Sequence, residues 1–148
     1  MLRPAPTACE RRPWLGDPPT SVHGRGASPV LLDVHEVVAW VLVLGNGLAG
    51  LWALGAQWVP PLRRRALWWF VGATQVVVAI QVILGVTVQQ ADDVEAPGMH
   101  VFYGFVALVS VGLIYSYRQQ MKDRQYLLYG LGCLFIMGLG IRAMVIHL

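Results

Sequence analysis

The chain has 148 residues, of which 56% are hydrophobic and only 13% are charged, and its formal net charge is +3. An average soluble domain carries about a quarter charged residues. This composition therefore excludes a soluble enzyme with a polar shell, a disulfide-based secreted scaffold and a nucleic-acid-binding domain. It predicts a small protein that passes through a membrane several times.

The N-terminal tail, residues 1–29, is expected to be disordered. It holds six of the nine prolines together with glycine, serine and arginine, and it shows no hydrophobic period. The tail also lacks an apolar segment of its own that would serve as a cleavable signal peptide. We therefore expect the first apolar stretch beyond it to direct insertion into the membrane.

Residues 30–148 form the predicted membrane domain, which contains four long apolar stretches. A helix needs about 20 apolar residues to cross the hydrocarbon core. The spans are predicted at about 31–58, 66–90, 99–117 and 125–147. Connections this short make neighbouring helices antiparallel. The predicted fold class is therefore all-α: an integral membrane up-down four-helix bundle with four transmembrane helices.

The charges between the spans predict the orientation in the lipid bilayer. The connections after the first and third spans carry six basic residues in total, whereas the connection after the second span carries three acids and no base. Basic connections stay on the cytoplasmic side. The sequence thus predicts a multi-pass protein of the cell membrane whose N- and C-termini are both extracytoplasmic.

Small and amide side chains inside the spans predict how the helices associate. Glycines crowd the first and fourth spans, and in lipid such residues allow helix backbones to approach closely. Asn46 and Gln75 lie at a similar depth on adjacent helices, which favours a hydrogen bond between them over a polar pathway. The glycine-rich faces also suggest a contact with a membrane protein partner.

Three histidines are predicted to meet at the outer face, one from each of three spans. His35 opens the first span, His100 opens the third and His147 closes the fourth. His35 is followed one turn later by Ala39, and His100 by Gly104. A small residue four positions after a histidine leaves a flat recess on the same helix face.

With paired histidines on two helices, the chain resembles the four-helix b-type cytochromes and the half-bundles of the heme A synthase type. In those families such a pair holds a heme between the helices. The resemblance implies a small electron-transfer protein that binds heme b, with His35 and His100 as axial ligands beside Ala39 and Gly104. Both histidines lie at the start of their spans, so the heme would lie close to the outer surface, where Arg142 would pair with a propionate.

Two other interpretations of the outer face remain open. Imidazole and thioether groups together suit copper, and such a set is available from His35, His100, His147, Met99 and Met144. Alternatively, the histidines are solvated or paired with carboxylates at the helix ends, and Arg142 neutralises Glu36 or Asp33.

These patterns indicate classes of function and not one particular function. The chain contains no G-x-S-x-G, P-loop or H-E-x-x-H motif, so no particular enzyme class is indicated. The main alternative to a heme protein is a non-catalytic accessory subunit, whose glycine-rich faces would pack against a larger membrane complex.

Overall fold

The structure, a computed structural model, describes residues 29–92 and 98–146 of the chain. The regular secondary structure in these ranges is entirely helical, and no strand occurs among the described residues. Two short 3₁₀ turns, at Pro60–Leu62 and Lys122–Arg124, precede the second and fourth helices. The four long helices are α1 (Pro29–Trp58), α2 (Arg65–Asp92), α3 (Gly98–Tyr117) and α4 (Gln125–Ile146).

All four helices are long and apolar enough to cross a membrane. For residues 29–92 and 98–146, this confirms the prediction of an all-helical fold with four such segments. The predicted disordered tail, except Pro29, lies outside the described residues. The same is true of His147 and of residues 93–97, which hold two of the three acids expected between the second and third spans.

The end of α1 has an identifiable cause in the sequence. Val59 adopts an extended conformation, and the following Pro60 and Pro61 begin a 3₁₀ turn because proline cannot continue the α-helix. Arg63 then turns back toward α1. Its guanidinium donates to the carbonyl of Ala56 at 2.8 Å and to that of Gln57 at 2.9 Å. These bonds satisfy carbonyl groups that the helix end leaves without a partner.

The helices associate around α1, which packs most extensively on α4 and next on α2, while α3 packs mainly on α4. Glycines lie at the closest α1–α4 approach. A Cβ added at Gly130 would lie 2.7 Å from the Leu54 side chain and 3.1 Å from its backbone nitrogen. A Cβ added at Gly50 would lie 3.0 Å from the Gly130 carbonyl oxygen. The prediction that these glycines are packing positions is confirmed.

The buried amides have different partners from those expected. Asn46 is fully buried and donates to the Leu42 carbonyl of its own helix at 3.0 Å. Gln75 donates to the Cys133 sulfur of α4 at 3.4 Å. The expected hydrogen bond between Asn46 and Gln75 is therefore wrong. Rotation of each helix about its axis decides which neighbour an amide meets, and equal depth alone does not determine that rotation.

Contacts between distant residues bring the ends of several helices together. The Arg63 guanidinium lies 5.3 Å from the centre of the Tyr126 ring, and the Trp68 and Tyr126 rings are 5.5 Å apart. The connection between α1 and α2 is thus close to the start of α4. Most of the outward surface consists of large apolar side chains, including Leu44, Leu51, Ile83, Phe105, Leu113 and Phe135.

Candidate histidine site

The structure brings His35 of α1 and His100 of α3 together. The two imidazole rings have centres 6.0 Å apart, and their planes are inclined by 56°. Both residues are half-buried. The pairing that the sequence analysis assumed for an axial ligand pair is therefore present, and it joins two helices that do not follow one another in the chain.

His100 is held through one of its ring nitrogens. Its Nδ1 lies 3.2 Å from the carbonyl oxygen of Ala143 on α4. A carbonyl oxygen only accepts hydrogen bonds, so this contact requires the proton on Nδ1. In the neutral ring, Nε2 is then the nitrogen that carries the lone pair. Histidines that bind metals commonly donate their other N–H to a backbone carbonyl in this way, which fixes the ring orientation.

His35 is held mainly by α2. The side-chain nitrogen of Gln81 lies 3.3 Å from Nε2 of His35 and donates to the His35 carbonyl oxygen at 3.1 Å. One turn further along α2, a Cβ added at Gly85 would lie 3.4 Å from Cε1 of the imidazole. Gln81 thus contacts both the ring and the backbone of His35, while Gly85 lets α2 approach the ring closely.

The two small residues predicted to flank the histidines are both half-buried, Ala39 on α1 and Gly104 on α3. A Cβ added at Gly104 would meet no atom within 4 Å, so open space lies one turn from His100. A recess for a flat ligand beside the imidazoles stays a prediction.

Each of the two histidine helices also has a glycine twelve residues after its histidine, but the surroundings of these two glycines differ. A Cβ added at Gly47, twelve residues after His35, would lie 2.8 Å from the Met137 sulfur, whereas one added at Gly112 would meet nothing within 4 Å. Only the segment next to each histidine therefore bears on the candidate site.

Arg142 lies close to the histidines but has a partner that was not expected. Its Nε donates to the hydroxyl of Tyr103 on α3 at 3.2 Å. The side chain is exposed. Among the described residues its hydrogen bond goes to Tyr103 and not to a carboxylate, and pairing of Arg142 with Glu36 or Asp33 stays a prediction. Tyr103 lies one turn after the start of α3, which places Arg142 at the same end of the helices as His100.

The residues proposed for copper are only partly described. Met99 is half exposed to the surroundings, Met144 packs against the hydrophobic core, and His147 lies outside the described residues. Within residues 29–92 and 98–146, no group of three or more His, Cys, Asp or Glu side chains is arranged to hold a metal ion. Copper binding stays a prediction.

Gln81 and Gly85 are site residues that the sequence analysis did not connect with His35. Their spacing on α2 is the same as that of the His-x-x-x-small pairs on α1 and α3. This spacing is the signal that would have placed both on one helix face. Tyr103 left no such signal, because a tyrosine near a helix end is equally typical of the membrane interface.

Comparison with known proteins gives no relative from which a role could be transferred: no family model, no curated protein and no solved structure matches the chain.

Proposed function

We propose that this chain is a small membrane protein that binds one heme b between His35 and His100 and passes electrons near the outer face of the membrane. The observation that carries the proposal is the approach of two imidazoles from α1 and α3, with ring centres 6.0 Å apart. The enclosing fold is proposed to be an up-down bundle of four transmembrane helices.

The spacing of the two rings fits a shared metal ion. Metal–imidazole bonds of about 2 Å put the centres of two rings that face one ion from opposite sides about 6 Å apart. Aromatic rings in simple contact have similar separations, so the spacing is useful only together with the other contacts. The bond between His100 Nδ1 and Ala143 supplies such a contact, because it leaves Nε2 as the ligating nitrogen.

The surroundings of the rings fit a flat ligand. Open space next to Gly104 provides room one turn from His100, while Gly85 lets α2 lie against the His35 ring. When bound, a heme supplies one-electron redox chemistry. His35 and His100 would bind the iron. The Gln81 amide donates to Nε2 of His35, so iron bound at that nitrogen would replace this bond, and Gln81 would then hold His35 through its backbone carbonyl. Arg142 uses only Nε toward Tyr103 among the described residues, so its terminal nitrogens can pair with a propionate.

The membrane orientation is proposed from charge and from contacts. Basic residues cluster in the connections that follow α1 and α3, which the positive-inside rule assigns to the cytoplasm. Arg63 and Tyr126 are in contact, which supports placing these connections at one end. His35, His100 and Arg142 then lie at the opposite end, on the extracytoplasmic side with both termini.

The experiment that tests the proposal is a reduced-minus-oxidised absorption spectrum of the full chain, purified in detergent after expression with added heme. The account predicts an α-band in the reduced protein and one heme per chain. His35→Ala and His100→Ala should each abolish bound heme. His147→Ala is the matched control and should keep it.

Three results would contradict the proposal in different ways. A folded wild-type protein without pigment would favour the accessory-subunit hypothesis. Loss of pigment only in His147→Ala would mean that another histidine pair binds the heme. Copper in metal analysis, lowered by Met144→Ala and His147→Ala, would favour the copper hypothesis.

A further inference from the structure

Away from the histidines, an apolar groove lies between α1 and α2. The groove has a volume of about 850 Å³ and ends at the connection between the two helices. Leu48, Leu51 and Trp52 line it from α1, and Ala66 and Phe70 line it from α2. Arg64, in the connection itself, also lines the groove.

The wall of the groove is held in place by specific contacts. The indole nitrogen of Trp52 donates to the Leu62 carbonyl at 3.1 Å. The rings of Trp52 and Phe70 have centres 6.1 Å apart, which is a typical aromatic contact. Leu48 and Leu51 are each exposed over more than half of their surface, so one side of the groove opens toward the surroundings of the helices.

The groove lies along the part of α1 nearest the connection. Its lining on α1 runs from Leu48 to Trp52, which is roughly 6 Å of helix at 1.5 Å per residue, and its lining on α2 runs from Ala66 to Phe70. Leu48 lies ten residues before the end of α1 at Trp58, so this lined segment falls within one half of a hydrocarbon core that is roughly 30 Å thick. An acyl chain that enters beside the connection therefore meets an apolar wall formed by both helices.

The three consecutive arginines beside the groove do not share one role. Arg63 is engaged with the carbonyls of Ala56 and Gln57 and with the Tyr126 ring. Arg64 is exposed, and its one hydrogen bond among the described residues is a long contact of 3.4 Å from Nε to the Pro61 carbonyl. The terminal nitrogens of Arg64 are thus directed to no other group of the described chain.

We propose that the groove binds an anionic phospholipid of the cytoplasmic leaflet, with an acyl chain along Leu48, Leu51 and Phe70 and the headgroup phosphate on Arg64. Guanidinium groups bind phosphate through paired, charge-assisted hydrogen bonds. The first turn of α2 contains no acidic residue that would repel the phosphate, and it begins with the exposed Arg65. Basic sites of this kind between helices bind anionic headgroups. The inference needs membrane insertion but does not depend on heme.

Native mass spectrometry of the full-length protein tests this site directly. The protein is released from micelles that contain phosphatidylglycerol or phosphatidylcholine with identical acyl chains. The wild type should retain one phosphatidylglycerol about fivefold better than phosphatidylcholine, since one arginine near a membrane surface favours an anionic lipid by that factor. Equal retention of the two lipids would overturn the proposal.

Two arginine variants distinguish binding of the lipid at this site from a general attraction of anionic lipids to a basic surface. Arg64→Gln should remove the preference, whereas Arg118→Gln, which changes another exposed arginine, should keep it. Equal losses in both variants would overturn the site. Leu51→Trp fills the groove without changing charge and should lower retention of both lipids, and unchanged retention would exclude the groove as the acyl site.

A further arm distinguishes a lipid from a free phosphate. Glycerol phosphate, which has the anionic group but no acyl chain, should not displace the bound lipid at millimolar concentration, and displacement would overturn the acyl assignment. Failure of these tests in a protein that still binds heme would leave the proposed function intact. Lipid binding in a folded protein that binds no heme would support the lipid site and contradict the proposed function.

Discussion

At the scale of single residues, the histidine site depends on side chains that orient the imidazoles. Gln81 contacts both the ring nitrogen and the backbone carbonyl of His35, and the Ala143 carbonyl accepts from Nδ1 of His100. The Ala143 carbonyl fixes the tautomer and rotation of His100, whereas the Gln81 amide, which donates, holds the ring and the backbone of His35 in place. Gln81 is therefore a positioning residue, which acts on the proposed heme only through His35.

Replacing Gln81 by leucine tests this role. We expect Gln81→Leu to keep the bound heme but to shift its midpoint potential, because an apolar group replaces the polar amide next to His35 while both ligands remain. The measurement is a redox titration of the purified protein. Gln89→Leu, on the same helix, is the matched control and should leave the potential unchanged. Equal potentials in the wild type and Gln81→Leu would contradict the positioning role.

At the scale of helices, close packing of α1 on α4 holds the two histidine helices indirectly. α4 contacts both α1 and α3, so its position affects the separation of His35 and His100. Gly50 and Gly130 allow this approach, because a Cβ at either position would meet a neighbouring side chain at less than 3 Å. In lipid, such packing replaces the hydrophobic effect as the main cause of helix association.

The same substitution, glycine to alanine, at two positions of α4 tests the packing. Gly130→Ala should lower the free energy of unfolding by about 1–3 kcal/mol, because the added methyl group is forced against Leu54. Gly138→Ala adds the same group where nothing lies within 4 Å, and it should leave stability unchanged or slightly higher. Thermal unfolding in detergent, followed by circular dichroism, measures both. A Gly130→Ala variant as stable as Gly138→Ala would mean that α1 and α4 do not pack this closely.

The four helices were predictable from the sequence because length and apolar content alone define a segment that can cross a membrane. Pro60 and Pro61 account for the end of the first helix close to the predicted position. The pairing of His35 with His100 was expected from the resemblance to b-type cytochromes, and the two rings do lie together. For the amides, the predicted hydrogen bond between Asn46 and Gln75 was wrong, because each has another partner.

The failures share one physical reason. Depth along a helix follows from counting residues, but the rotation of a helix depends on packing against all of its neighbours. These helices are apolar on almost every face, so the sequence contains little indication of which side meets which helix. Gln81 reaches His35, and Arg142 reaches Tyr103, only once that rotation is known.

At the scale of the whole molecule, the two ends of the helices differ in their chemistry. One end holds the histidine pair and Arg142, and the other holds the arginines that follow α1. The proposed heme lies at the first end and the proposed anionic lipid at the second. The apolar surface between them fits the hydrocarbon core of a bilayer.

The central claim is that both His35 and His100 bind the iron of one heme, and electron paramagnetic resonance of the oxidised, heme-loaded protein tests it most directly. Two imidazole ligands predict a low-spin ferric signal in the wild type and in His147→Ala. His35→Gly removes one of the two proposed axial ligands. Free imidazole added to this variant should replace that ligand and restore the bound heme and the same low-spin signal. A high-spin signal in the wild type, or a low-spin signal lost only in His147→Ala, would contradict the claim.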